Sequence, residues 1–306
     1  MRTFFVLIVA AFIAVFAWMQ QHTAPLYDGT VRFIKDPDSS LGLDEVKQID
    51  WSREAQSPIN FGFSNATFWY YLPLPAAVRQ AKEPHVLEID FPTIDTLEFF
   101  LVDEDGAILS HVRTGTDLPF ASRPLWDDDW VFPIDPGMNA ATVYIRAATS
   151  NSLQLPIRLY DQDSFFRQDM FNMLFWGGFY GVMLIMALYS FLNGMVIWDW
   201  LYIYYCAYVL SAALTVASLN GHGFAYLWPE VPEINAFSLS VFPCFMICFG
   251  IAFSMEYLDI VRQRLRMRYA GYLFIGIALL TAISSILLQR DFSFWAAVVT
   301  VMFTVT

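Results

Sequence analysis

A chain of 306 residues that is 57% hydrophobic and only 15% charged is too apolar for an ordinary soluble protein, where charged residues make up nearer a quarter. The charge is also uneven: residues 21–167 hold 22 Asp/Glu against 11 Lys/Arg, whereas residues 168–306 hold 7 against 5. So acidic a first half excludes nucleic acid as a partner, since phosphate contacts need grouped Lys and Arg.

Residues 1–20 place one Arg before an apolar run, which is the shape of a secretory signal peptide or of an uncleaved anchor helix. Val15-Phe16-Ala17 offers small residues at a spacing suited to cleavage after Ala17. Either reading puts the following segment outside the cytoplasm. That segment contains no cysteine, because Cys206, Cys244 and Cys248 all lie further along in hydrophobic runs. Its core must therefore hold without a disulfide.

Residues 24–162 alternate with period two. Phe68, Tyr70, Leu72 and Leu74 fall on one face of a strand, with Trp69 and Tyr71 on the other. Leu87, Ile89 and Phe91 alternate with Glu88 and Asp90. Similar runs contain Leu97, Phe99 and Leu101; Val143, Ile145 and Ala147; and Leu153, Leu155, Ile157 and Leu159, with turn residues between them. Short strands at this spacing predict an all-β sandwich or jelly roll outside the cytoplasm. Pro156 puts its strand at an edge. Carboxylates on these strands fall on the polar side of the alternation, which predicts solvated positions.

The stretch Asp161-Gln162-Asp163 and onward to Met170 predicts a short polar connector. Bilayer-length runs follow near 171–192, 199–219, 235–256 and 269–288, with a shorter one at 292–306. A membrane domain over 170–306 is expected to be a helical bundle that is incomplete at its fifth span. Arg262, Arg264, Arg266 and Arg268 make the linker between the third and fourth runs cytoplasmic. Counting back places the β domain outside, in agreement with the start of the chain. No run carries an ionisable residue at its centre, which argues against a pump or transporter. Gly177 and Gly181 form a GxxxG pair that predicts close helix packing, within the bundle or between two copies of a homodimer.

One polar stretch draws notice. Arg123, Trp126 and Trp130 surround Asp127, Asp128 and Asp129. Tryptophan faces beside carboxylates suit a saccharide, whose C–H groups stack while its hydroxyls bond to the acids. An Asp triplet can also take calcium. Trp69 and Tyr71 are the second candidates for a ligand surface. The four histidines, His22, His85, His111 and His222, show no metal-ligand spacing, and no nucleophile or phosphate-loop motif occurs. No cofactor, metal or catalytic residue is expected within this chain.

The stretch from Asp36 to Val46, followed by Ile59 to Pro75 with Gly62, Ser64 and Trp69, resembles the type 2 extracellular sensor domain of bacterial seven-transmembrane receptors with diverse intracellular signalling modules. Tyr144 to Tyr160 resembles a later strand of that domain. Gly177 to Gly194, Asp199 to Pro229, Asn220-Gly221 and Leu227-Trp228-Pro229 resemble the opening of the family's membrane domain. The resemblance implies a jelly-roll sensor in the periplasm and a bundle in the bacterial inner membrane. It also implies a cytoplasmic output, commonly a diguanylate cyclase or histidine kinase, beyond Thr306. Leu72-Pro73 stands where the family usually has an Arg. The expected function is the input segment of a receptor that binds a small ligand, a saccharide among the options. The alternatives are a membrane-tethered binding or adhesion module, or the N-terminal part of such a cyclase or kinase.

Overall fold

The computed structural model describes residues 25–26, 30–51, 54–56, 59–63, 66–149, 152–259 and 265–287. The N-terminal hydrophobic segment, Ser64, Arg262 and Arg264, and the run at 292–306 lie outside the described residues.

The alternating segments form eleven strands: β1 Thr30–Asp36, β2 Glu54–Gln56, β3 Ile59–Phe63, β4 Thr67–Pro73, β5 His85–Ile89, β6 Thr96–Asp103, β7 Ile108–Thr114, β8 Trp130–Ile134, β9 Ala140–Ala148, β10 Ser152–Leu155 and β11 Ile157–Asp161. All described pairings are antiparallel. A six-stranded sheet, ordered β2-β1-β4-β9-β6-β7, faces a three-stranded sheet β11-β5-β8 and a two-stranded sheet β10-β3. The period-two residues meet between them. Phe68, Tyr70, Leu72, Phe99 and Ile145 come from one side, and Leu87, Ile89, Phe132, Leu155 and Leu159 from the other. Phe99 and Phe132 stack across the gap with ring centroids 4.2 Å apart. Burying each such ring contributes on the order of 1.5–3 kcal/mol. The result is the β-sandwich that the alternation implies.

Pro156 separates two strands rather than sitting inside one. Without an N–H it interrupts the ladder, so β10 pairs with β3 while β11 pairs with β5 at the edge of another sheet.

Both faces of the large sheet are covered. Its outer face carries Trp69, Phe100 and Tyr144, packed under Trp51 and the helical turn Leu43–Val46. The opposite orientation of Trp69 and Phe68 therefore gives two cores, not a core and a wet surface.

Four helices follow: α1 Gln162–Ile197, α2 Trp200–Leu219, α3 Pro232–Tyr257 and α4 Leu265–Leu287. All four are long and apolar enough to cross a membrane. They pack in sequence order, α1 on α2, α2 on α3 and α3 on α4. The polar connector expected after Asp161 is instead the start of α1. The Asp161 carboxylate accepts a hydrogen bond from the Ser164 N–H at 2.8 Å, an N-cap that starts the helix directly at the end of β11. At 1.5 Å per residue, α1 is about 54 Å long, well beyond the roughly 30 Å of a hydrocarbon core. The helix is therefore longer than one crossing needs, and its first turns are used to pack on the sandwich. Phe165 in those turns packs with Tyr160, Val86 and Val131 on the outer face of β11-β5-β8.

Gly177 and Gly181 do not mediate packing among the described residues, since a Cβ added at either meets nothing within 4 Å. Close approach occurs elsewhere. Gly194 lies against Ile203 and Tyr202, and Gly250 lies against the Tyr208 ring. Cys244 and Cys248 sit one turn apart on α3 and pack on Ala278 and Ala282, one turn apart on α4.

Candidate functional site

The acidic triplet lies where the sandwich meets the bundle, in the turn that leads into β8. Arg123 builds that turn from beneath. It is 7% exposed, and its Nη1 donates to the backbone carbonyls of Asp127 and Asp128 at 2.7 Å and of Asp129 at 3.1 Å. Its guanidinium plane lies 3.7 Å from the Trp130 ring centre and 4.3 Å from that of Phe120. Burial lowers the Arg123 pKa to about 10, although the three aspartates favour its charge. Arg123 therefore holds the turn by its carbonyls and leaves the carboxylates free to point elsewhere.

Those of Asp127 and Asp128 lie beside the membrane domain, while Asp129 is part-buried near Asp90 and Glu88 of the sandwich. Asp127 Oδ1 accepts from the Asp129 N–H at 2.9 Å. Asp128 Oδ2 is 3.4 Å from Nε2 of His222, in the loop between α2 and α3. The other ring nitrogen of His222 is 3.2 Å from the Tyr180 hydroxyl on α1. Carboxylate oxygens of Asp127, Asp128 and Asp169 lie within 4.8 Å of one another. Asp169 belongs to the third turn of α1, within the stretch whose polarity predicts a connector.

The same loop is fastened at two more points. The Phe120 N–H donates to the Pro229 carbonyl at 2.9 Å, and Phe120 packs edge-on against Phe224 at 5.4 Å. Phe120, Phe224, Ala225 and Trp228 form one buried cluster across the junction.

Beside the acids a cavity of about 690 Å³ opens between α1 and α2. Asp128, Asp169 and His222 line its outer end, with Trp176, Tyr180 and Tyr226 around them. Leu184, Leu210 and Leu214 line the rest.

The two tryptophans of the triplet region are used differently. Trp126 is 58% exposed and rests on Phe120 at 4.9 Å. Trp130 is 1% exposed; its Nε1 donates to the Phe91 carbonyl at 2.8 Å, and Arg123 covers its ring. Core packing and cation–π contact thus take up the Trp130 face, and of the two only Trp126 presents an open ring. Trp69 is likewise buried, and Tyr71 is half-buried beside Trp51 at 5.4 Å. Neither lies near the junction acids in the fold, since β4 is in the large sheet and the acidic turn enters β8. Asp169, His222 and Tyr180 complete the site. Sequence spacing does not reveal them, because they are brought to Asp128 by chain segments about 40 to 90 residues away.

Glu88 is a second departure from the simple alternation. Expected in solvent, it is 5% exposed, because α1 and the acidic turn cover the outer face of β5. Burial, then Asp90, push its pKa up to about 8, against the pull of Arg158 at 3.6 Å. Burial, then Asp128, raise Asp127 to about 7, and burial raises Asp129 as well. In each case the folded pKa lies above the unfolded one. The folded chain then holds extra protons between roughly pH 4 and 8, and stability falls as pH rises through that window. A Glu88→Gln variant keeps the shape without the ionisation. Its thermal midpoint should fall less than that of the unsubstituted chain between pH 5 and 8.5, the difference at the upper end being on the order of a few kcal/mol. Parallel midpoint curves for the two proteins would show that Glu88 carries no part of the slope.

A β-sandwich docked on a bundle of four helices, each long and apolar enough to cross a membrane, is the architecture of a membrane protein with a folded domain outside the bilayer. Residues 28–161 match the family model for the 7TMR-DISM extracellular 2 domain, and residues 172–306 match that for 7TM diverse intracellular signalling. The chain belongs to this family of seven-transmembrane receptors with diverse intracellular signalling. No curated protein matches it.

Proposed function

We propose that the chain is the sensing and relaying segment of a bacterial inner-membrane receptor. Its sensor domain spans residues 24–162 on the periplasmic side and its membrane domain begins near residue 170. A small molecule bound at the domain junction shifts the bundle between two arrangements, and a cytoplasmic output module reads the shift. Catalysis belongs to that output and not to this chain. The observation that carries the reading is mechanical. β11 ends at Asp161, which caps α1, so strand and first span share one rigid connection. The acidic turn meanwhile grips the α2–α3 loop. A movement of the sandwich is thus applied to two points of the bundle at once. A relay also requires that the ligand bind the two arrangements with different affinity.

The test uses spin labels at Trp198→Cys and Leu258→Cys, which lie at the ends of α1 and α3 away from the sandwich. The three buried native cysteines are replaced by alanine. Two glycines inserted between Asp161 and Gln162 release the rigid connection. The measured label-to-label distance distribution should broaden or shift. An unchanged distribution would mean that the position of the β domain is not felt at the far face, and the tethered-module reading would then stand.

A further inference from the structure

We infer that the junction cavity is a site for an amphipathic primary amine, with the ammonium held by Asp127, Asp128 and Asp169 and the apolar part lying between α1 and α2. The inference rests on the receptor reading, because it names the ligand class of the same junction. Three features carry it. The first is size: about 690 Å³ falls within the range of small-molecule pockets.

The second feature is charge. Among the described residues, no Lys or Arg forms an ion pair with Asp128 or Asp169. Arg123 directs its Nη1 to carbonyls instead. His222 does not compensate, since burial lowers its pKa although Asp128 pulls the other way. The carboxylates of Asp128 and Asp169 therefore line the outer end of the cavity without a compensating Lys or Arg paired to them among the described residues. Three carboxylate oxygens within 4.8 Å of one another match the three N–H donors of a primary ammonium.

The third feature is the wall. Trp176, Tyr180 and Tyr226 flank the acids, and aromatic faces attract a cation. Beyond them Met173, Leu184 and Leu214 offer apolar contact, which a bare metal ion does not use and an alkyl or aryl tail does.

The same chemistry could arrive as a soluble amine or as the ethanolamine head group of a lipid. The experiment separates these sources. The full chain is placed in phosphatidylcholine nanodiscs, whose head groups have no N–H, and titrated with octylamine, octanol and octyltrimethylammonium by calorimetry. Octylamine should bind saturably and both controls at least about tenfold more weakly, as expected for loss of charged hydrogen bonds. Asp169→Asn should weaken octylamine by a similar factor, and Asp169→Glu should retain binding, which guards against a mere folding defect. If nanodiscs containing phosphatidylethanolamine abolish the octylamine signal, the lipid head group is the occupant; if they leave it intact, the soluble amine is.

Equal binding of octanol and octylamine would overturn the proposal, as would an unaffected Asp169→Asn variant. So would saturable calcium binding without any amine binding. The spin-label distance measured with octylamine distinguishes the two readings. Amine binding that leaves the distance unchanged removes the relay and keeps the site. No amine binding, in a chain whose distance still responds to the glycine insertion, removes the site and keeps the relay.

Discussion

Replacing Arg123 by methionine is expected to lower the thermal midpoint of the β domain by about 10 °C, corresponding to roughly 2–4 kcal/mol. Methionine fills much the same volume and can still lie on Trp130 and Phe120. What it removes is the Nη1 donor that serves the carbonyls of Asp127, Asp128 and Asp129 together. Each carbonyl left unpaired in a covered position costs about 1–3 kcal/mol, less where water can reach it. The turn is partly open, so the sum lies below three times that cost. Removing the guanidinium also takes away the positive charge near the raised carboxyls of Asp127 and Asp129, and the turn should loosen further as pH rises and these two ionise. Arg123→Lys should recover only part of the loss. An ammonium keeps the charge but cannot lie flat on two rings while bonding three acceptors. Near-ultraviolet circular dichroism of the full chain in nanodiscs, followed with temperature, reads the tryptophan environment directly. A midpoint within about 2 °C of the unsubstituted chain would show that the turn is held by something other than Arg123.

Much of the sandwich is legible in the sequence because a strand has the same period everywhere. Phe99, Leu101, Val143 and Ile145 face inward as alternation demands. Alternation misleads where the outer face of a sheet is itself covered. Glu88 looks solvated by its position in the pattern, yet α1 and the acidic turn lie over β5, and nothing local to Glu88 announces that cover. The start of α1 is hidden for a related reason. Residues 161–170 are polar, and polarity separates lipid from water rather than helix from coil. Asp161 with Ser164 is a capping pair visible in the sequence, and it is the signal that marks the true helix start.

The acidic triplet stands out in the sequence, but its partners do not. A run of carboxylates says that a charge is concentrated and not which way it faces. The direction comes from Arg123, which takes the backbone side of the turn, and from the loop after α2, which supplies His222. The tryptophans mislead because an indole packs as readily in a core as on a sugar. Trp130 is followed by an alternating strand, and that strand draws its ring inward.

Gly221→Val should part the two domains at the acidic turn. Gly221 has a φ of +76°, a conformation that costs a residue with a Cβ about 1–2 kcal/mol and a β-branched one more. A Cβ built there would lie 2.8 Å from Cβ of Pro92 and 3.0 Å from the carbonyl oxygen of Asp128, and both of these belong to the sandwich. Neither neighbour is the free end of a flexible side chain, so the loop itself must move. The Phe120 N–H bond to the Pro229 carbonyl and the packing of Phe120 on Phe224 lie on the same loop and should go with it. Hydrogen exchange reports this at one atom pair, because the Phe120 amide is covered only while the domains are docked. A loss of about 3 kcal/mol in docking would speed its exchange roughly a hundredfold. Gly177→Ala is the matched control, since the added Cβ meets nothing within 4 Å there, and its exchange should equal that of the unsubstituted chain. Exchange at Phe120 that is unchanged in Gly221→Val would mean that the contact bends without parting. The close approach at Gly221 would then not be what holds the acidic turn on the loop.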